Sequence, residues 1–433
     1  MHCEIGGQRP AKFSQYLPDS GWNTVVVTRF WDDASRNGPW IIPRKMPDVN
    51  AWHPRDSVEN ACGQQRSVIE VPFRLTTIKK SQLAIGQERA AWRIVYRKWL
   101  ALRQMLTFNS TGTDWLNQAY RAVVSLKEIT DIDCIYATSP PPDTLILASK
   151  LSAQLGIPWV ADLRDRSCEQ FPANAFLARN LRKMKYTIKT ASAVVVVSEA
   201  LADHEKLELS LNQRPYVVPN GFDRSEMEGT TSDWSNSFQI SYTGSVYLDR
   251  QDPGTFMRGL NEFANNNPEV ASFENRVFQY FGTSEGAVME SAQKHGVEHL
   301  TAIRGHVTRD IALKAQSEST ALLHLTDCRG VAGIATGKIY EYFAAGRPIV
   351  AVPGDRDTVE HLISSTRTGV IARTYQEVAR VLQSLYNEWR TNQRVAYSPI
   401  VDEVAKYSRQ AQSQYLASIL TNVANGVAKQ KNG

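Results

Sequence analysis

No uninterrupted apolar run in the 433-residue chain approaches the length of a membrane-spanning helix, which needs about 20 residues. An integral membrane protein is therefore not expected. Cysteine is scarce: Cys3, Cys62, Cys134, Cys168 and Cys328 are odd in number, scattered, and form no C-x-x-C pair. That pattern disfavours both a disulfide framework and a thiolate metal site. The opening residues Met1 to Gly7 lack a basic region followed by an apolar stretch, so no signal peptide is expected. There is no low-complexity tract, no repeat with a 20–50-residue period and no paired-carboxylate cluster suited to a divalent ion. These absences point to a reduced, cytoplasmic protein with no cofactor and no metal. What is present is ordinary: 42% hydrophobic and 21% charged residues exclude a disordered or fibrous chain. The length accommodates two large domains, each able to bury a core without staples.

Charge is nearly balanced overall, with 49 basic and 44 acidic side chains, but it is unevenly spread. Between Arg74 and Arg103 eight basic residues face Glu88 alone. A second run, Arg179, Arg182, Lys183, Lys185 and Lys189, contains no acid. Such patches attract anionic surfaces. From Glu88 to Leu106, Trp92, Tyr96, Trp99 and Leu102 can share one helical side beside a row of Arg89, Arg93 and Arg97. Basic amphipathic helices with aromatics suit an anionic membrane surface; a solvated helix packed by its aromatics fits equally. Nucleic-acid binding is not expected, because no recognition motif accompanies the charge.

Short β-branched runs alternate with helical patterns, which argues for an α/β architecture with parallel sheets. Strands are expected at Thr24–Thr28, Ile132–Ala137, Trp159–Leu163, Ala193–Val197 and Tyr216–Val218. A second series follows at Gln239–Tyr242, Val277–Phe281, Leu300–Ile303, Ala321–Leu325, Pro348–Val352 and Val370–Ala372. The Ser/Thr/Glu/Gly-rich stretch Asp223–Asn236 separates the two as a linker. The expected division is 1–222, 223–400 and a terminal helical segment 401–433, whose Val401–Val423 pattern reads as one helix. A doubly wound domain normally opens with a strand feeding a glycine-rich turn. Here the chain begins at the turn, Gly6-Gly7, so the first strand is expected to be missing from this sequence.

The segment most informative about chemistry runs from Gly330 through Gly333, Thr336, Gly337, Lys338 and Glu341 to Gly346 and Pro348. It reads as a glycine-rich loop entering a short helix. The first turn of a helix offers unpaired N–H groups and a positive dipole end. Lys338 adds a full charge there, and Glu341 lies on nearly the same face. A carboxylate in that place can accept from two vicinal ribose hydroxyls, as in dinucleotide folds. Together these describe a nucleoside diphosphate site; a solvated Lys–Glu pair at a helix start is the plainer alternative.

The run Lys338-Ile339-Tyr340-Glu341-Tyr342-Phe343-Ala344-Ala345-Gly346-Arg347-Pro348 resembles the donor-binding helix of glycosyltransferase family 4, of GT-B fold. Further segments agree in order: Gly6-Gly7-Gln8-Arg9-Pro10, Tyr16 to Trp22, Ala137 to Pro142, Ala161 to Asp165, Val197 to Ala200, Val218 to Asp223, Tyr242 to Ser245, and Arg304 to Val307. The resemblance implies two Rossmann-like domains with parallel sheets facing a central cleft. It implies transfer of a sugar from a nucleotide diphosphate donor to a glycan or lipid-linked acceptor, with retention, in cell-surface polysaccharide or glycolipid synthesis. The protein would be cytoplasmic, at the inner face of the membrane.

Residue roles follow from the same resemblance. Donor contacts fall on Gly6 and Gly7 as loop amides, and on Gly244, Arg250, Gly305, His306, Val307, Gly333, Thr336, Lys338 and Glu341. Lys338 and Arg250 would stabilise the departing diphosphate, with Asp165 a third catalytic candidate. Arg9, Ser139 and Arg164 fall on the acceptor side. Two departures stand out: Gly333 occupies the place of the family's first paired glutamate, and Ser245 that of a diphosphate arginine. The missing first strand and Gly333 keep open a catalytically inactive sugar-nucleotide-binding or assembly subunit. An epimerase of the same fold fits the motifs less well. His295 and His299 lack the H-E-x-x-H order and read as a helix end. Ser198-Glu199 reads as a helix cap.

Overall fold

The structure, a computed structural model, describes residues 3–29, 65–71, 113–170, 177–227, 237–273, 276–331, 333 and 335–431. The basic segments at 74–103 and 88–106 and the linker residues 228–236 lie outside them. The chain divides into two compact units: one holds residues 1–197, 201–218 and 413–433, the other 198–200 and 219–412.

In the first unit, α1 (Cys3–Tyr16) leads through a 3-10 turn to β1 (Thr24–Arg29), which pairs in parallel with β2 (Arg66–Val71). Helix α2 (Thr113–Ile129) covers this pair through Trp115, Ala119, Ala122 and Leu126, packed around Ile69. A four-stranded parallel sheet follows in the order β3 (Ile135–Ser139), β4 (Trp159–Leu163), β5 (Ala193–Val196), β6 (Tyr216–Val217). Helices α3 (Asp143–Leu155), α4 (Leu177–Ile188) and α5 (Glu199–Glu208) connect them. All five residues of β4 are buried, as expected of a parallel strand covered on both faces. Arg179, Arg182, Lys183 and Lys185 of the second basic run lie on α4, which buries Asn180, Met184 and Ile188 and leaves Arg179, Arg182 and Lys183 exposed.

The second unit is a six-stranded, all-parallel sheet of β7 (Ile240–Thr243), β8 (Phe278–Phe281), β9 (Thr301–Gly305), β10 (Ala321–Leu325), β11 (Ile349–Val352) and β12 (Gly369–Ile371). Their order across the sheet is β9-β8-β7-β10-β11-β12. Numbered within the unit, this is 3-2-1-4-5-6, the Rossmann order, whose strand direction of travel reverses between the first and fourth strands. Helices α6 (Gly254–Asn266), α7 (Glu285–Lys294), α8 (Arg309–Glu318), α9 (Gly337–Ala345) and α10 (Thr358–Thr366) make the crossovers, and α11 (Tyr375–Asn392) follows the last strand. One core gathers Phe238, Tyr242, Phe256 and Leu260 with Leu323, Tyr386 and Trp389. Another gathers Leu322, Ile349 and Ala351 with Ile339 and Tyr342 of α9 and Val359 and Leu362 of α10. Alternation along β10 thus sends Leu322 and Leu323 to opposite cores.

The terminal helical pattern is broken, contrary to the expected single helix. It forms α12 (Val401–Ala405) and α13 (Arg409–Lys431). Between them the backbone pairs elsewhere: Phe222 N–H donates to Tyr407 O at 3.0 Å and Arg409 N–H donates to Phe222 O at 2.8 Å. A Cβ on Gly221 would sit 2.4 Å from Tyr407 O, so only glycine permits this approach. Beyond the break, Leu416, Ala417, Ile419 and Leu420 pack with Phe13, Leu17, Val160 and Val195 in the first unit. Among the described residues no helix is long and apolar enough to cross a membrane.

Candidate functional site

In open α/β sheets ligands bind outside the carboxyl ends of the strands, where the strand order reverses. In the second unit that place lies beyond β7 and β10. The loops leaving these strands are laced together: Gln251 Nε2 donates to Leu325 O at 2.7 Å, and Cys328 N–H donates to Arg250 O at 2.7 Å. The loop after β7 begins at Gly244, with φ of 109°, a conformation that glycine alone adopts readily. A Cβ there would lie 3.2 Å from both Cε and Nζ of Lys338. The glycine therefore makes room for the lysine head.

Lys338 stands in the first turn of α9, whose start is marked by Thr336 in an extended conformation with no side-chain cap. The Thr336 Oγ1 is buried without a hydrogen-bond partner. An uncapped helix start with its cap hydroxyl unused leaves N–H and O–H donors for an anion. The Lys338 ammonium lies 3.5 Å from the centroid of the Tyr242 ring, a cation–π contact. Among the described residues no hydrogen bond or ion pair reaches it. Loss of hydration pushes its pKa down to about 7, against a smaller upward pull from the Glu341 carboxylate. Below the same helix His324, in the otherwise apolar β10, is 2% exposed and T-shaped to Tyr342 at 6.4 Å. Burial first, and the Lys338 charge second, push the His324 pKa down to about 3. The imidazole is neutral at physiological pH and adds no charge to the lysine.

Glu341 follows Lys338 by one turn, and its Oε1 accepts from Arg309 Nη1 at 2.9 Å. Gly333 has φ of 87°, and its N–H donates to the Asp357 carboxylate. Arg250 is an exposed turn residue whose Nε reaches Asp249 Oδ2 at 3.2 Å. Gly244, Arg250, Gly333, Thr336, Lys338 and Glu341 thus all lie on the loops and helix at the strand-order reversal. Gly305 instead ends the edge strand β9, and His306 and Val307 follow it. They lead into α8, whose first residue Arg309 reaches Glu341.

The first unit departs further from the sequence expectations. Gly6 and Gly7 lie within α1, not in a loop, so their amides belong to a helical ladder. A Cβ on Gly7 would meet nothing within 4 Å, so no close approach demands glycine there. Arg9, expected on the acceptor side, is 2% exposed and ion-paired. Its Nε donates to Asp162 Oδ2 at 3.1 Å, and its Nη2 donates to Asp162 Oδ1 at 3.0 Å and to Val218 O at 2.7 Å. Asp162 also accepts from Thr138 Oγ1 at 2.8 Å. Desolvation would raise the Asp162 pKa, but Arg9 and these hydrogen bonds hold it below the usual carboxylate value. Arg9 therefore fastens α1 to β4 and to the end of β6. Ser139 is likewise fully buried, donating to Gln170 Oε1 at 2.6 Å. Arg164, at the end of β4, donates to Pro140 O. Asp165 beside it is exposed.

Sequence reasoning missed Asp162, Tyr242, His324, Arg309 and Glu226. Asp162 and His324 carried a signal: each is the one polar residue inside an apolar, fully buried strand. Arg309 and Glu226 carried none, because their meeting depends on elements far apart in the chain.

No protein-family model and no curated protein matches the chain. Solved structures do. A glycosyltransferase from Rickettsia africae is similar over 99% of this chain and 93% of its own, at 12% identity and a TM-score of 0.53. The N-terminal domain of Candida albicans trehalose-6-phosphate phosphatase is similar over 92% and 96%, also at 12% identity and 0.53. The fold is α/β of GT-B type, with two Rossmann-like domains built on parallel sheets.

Proposed function

We propose that this protein is a glycosyltransferase that binds a nucleoside diphosphate sugar at the strand-order reversal of its second unit. The observation that carries the reading is Lys338: an ammonium at a helix start, stacked on Tyr242 at 3.5 Å, with no ion pair or hydrogen bond to it among the described residues. Leaving a cation so placed is costly unless a ligand supplies the charge. A diphosphate does so, and the uncapped start of α9 adds backbone donors to it. Glu341 takes the ribose hydroxyls. The likeness to a glycosyltransferase in fold supports the class.

In the transfer, the bond from the anomeric carbon to the diphosphate oxygen breaks as an acceptor hydroxyl oxygen bonds to that carbon. The hydroxyl proton passes to the departing phosphate. Lys338 and Arg250 stabilise the charge that develops there, and no resident metal is required. Asp165, Arg164 and the acceptor, a glycan or lipid-linked sugar, belong to the first unit. We further propose retention of configuration, and a role in cell-surface polysaccharide or glycolipid synthesis at the inner membrane face.

The test is a thermal-shift panel of UDP, GDP, ADP, TDP and CMP on wild type and Glu341→Ala. A ligand at 100 times its Kd adds about 2.7 kcal/mol of stability. One nucleotide should stabilise the wild type, and its affinity should fall in the mutant by the about 1.5–3 kcal/mol of a hydrogen bond to a charged group. Equal binding in both proteins removes the ribose assignment. The second reading, an inactive binding subunit, draws on Gly333 standing where a carboxylate is expected. Donor hydrolysis or transfer by the purified protein rules it out.

A further inference from the structure

Glu341 and Lys338 stand three residues apart on one helix, the spacing at which a carboxylate and an ammonium normally pair. Among the described residues they do not. The Glu341 carboxylate is instead engaged by Arg309, the first residue of α8, through Nη1–H to Oε1 at 2.9 Å. The other edge of the guanidinium is anchored by Glu226, in the 3-10 turn Arg224–Met227: Nε and Nη2 donate to Glu226 Oε2 at 3.2 and 2.5 Å. All three side chains are half-buried, with 31% of Arg309, 23% of Glu226 and 25% of Glu341 exposed.

We infer that Arg309 is a positioning residue for the nucleotide site, oriented by Glu226, which turns the Glu341 carboxylate toward the sugar and away from Lys338. This rests on the proposed function. The guanidinium is a flat fork that fixes the plane of whatever carboxylate it binds. With Oε1 held, Glu341 presents Oε2, which has no partner among the described residues, as the acceptor for a ribose hydroxyl. The ordering of a three-torsion side chain is then complete before the ligand arrives. The same bond keeps Glu341 from closing on Lys338 and cancelling the charge that awaits the diphosphate. Glu226 in turn needs Arg309, since two carboxylates so near one another would repel. Burial lowers the Arg309 pKa and the two carboxylates more than reverse it, so the guanidinium stays charged at every accessible pH.

The experiment compares the affinity of UDP, GDP and ADP with that of their 2′,3′-dideoxy counterparts, on wild type, Arg309→Gln, Arg309→Lys and Glu226→Gln. The ratio of ribo to dideoxy affinity isolates the sugar contact, which a merely structural role for Arg309 would not move. For the nucleotide that binds, the wild type should prefer the ribose form by about tenfold. Arg309→Gln should lose most of that preference, Glu226→Gln part of it, and Arg309→Lys should restore a fraction. Should Arg309→Gln fail to fold, Arg309→Lys and Glu226→Gln decide by the same ratio. An undiminished ratio in the folded variants overturns the inference and leaves the proposed function standing. Absence of binding by the wild type to all three diphosphates overturns the proposed function, and the inference with it.

Discussion

Two cations, one in each unit, show how different the fates of similar residues can be. Arg9 meets Asp162 through two parallel hydrogen bonds and gives a third to Val218 O. Lys338 meets the face of a tyrosine and, among the described residues, no ion-pair partner. Arg9 is charge-compensated in the free protein, so it serves the fold. Among the described residues no carboxylate pairs with Lys338, so in the proposed reading a ligand supplies its counter-charge. From sequence both belonged to the candidate site; the distinction lies in whether the fold itself supplies the counter-charge.

The comparison breaks most visibly if the Arg9 pair is cut. Asp162→Ala leaves a guanidinium buried without its carboxylate and should cost about 3–5 kcal/mol of unfolding free energy, read by chemical denaturation. Nucleotide affinity of the folded fraction should not change. A variant that keeps its stability and loses nucleotide binding would make Asp162 a ligand residue and erase the contrast between the units.

Lys338→Met should do the reverse. Removing an uncompensated cation should leave the melting temperature of the ligand-free protein unchanged or raised. Affinity for the nucleoside diphosphate should drop about tenfold to a hundredfold, the loss of one charge-assisted hydrogen bond. Titration calorimetry and a thermal melt on one preparation measure both, and a large fall in ligand-free stability would mean that Lys338 is structural.

The smallest effect is on protons. The Lys338 pKa is depressed to about 7 in the folded chain, against about 10.4 in an unfolded one. Below pH 7 both states hold the proton and the cost of burying it is fully felt. Between about 7 and 10 the unfolded chain keeps the proton while the folded one sheds it, so this residue's contribution to stability improves with rising pH. A bound diphosphate restores the charge. Binding near pH 8 should therefore take up a fraction of a proton, seen as a dependence of the calorimetric heat on buffer ionisation enthalpy. Lys338→Met should show no such uptake.

How far the sequence could be read depended on how local each feature was. Trp159–Leu163 and Ala321–Leu325, apolar but for Asp162 and His324, are parallel strands buried along their length, and the runs mark the strands residue for residue. The helix carrying Lys338 and Glu341 was legible from its glycine-rich approach and from Gly346, which ends it with φ of 64°. The break between α12 and α13 was not, because residues 406–408 leave the helix only to pair with Phe222, nearly two hundred residues earlier. The Gly6-Gly7 pair shows the opposite error. Glycines suggested a phosphate loop, but nothing about two glycines forbids a helix when Phe13 and Leu17 bury its far end.

The sequence by itself determined the alternation of strands and helices, the apolar faces of the sheets, and the placement of Lys338 and Glu341 one turn apart on one helix. Each of these follows from periodicity and from residue type within a few positions. Only the tertiary structure decided which charges are satisfied. Arg9 finds Asp162 across 153 positions, and Arg309 takes Glu341 away from Lys338 across 32. A counter-charge brought from so far leaves no trace in the local pattern, yet it decides whether a cation holds the fold together or waits for a ligand.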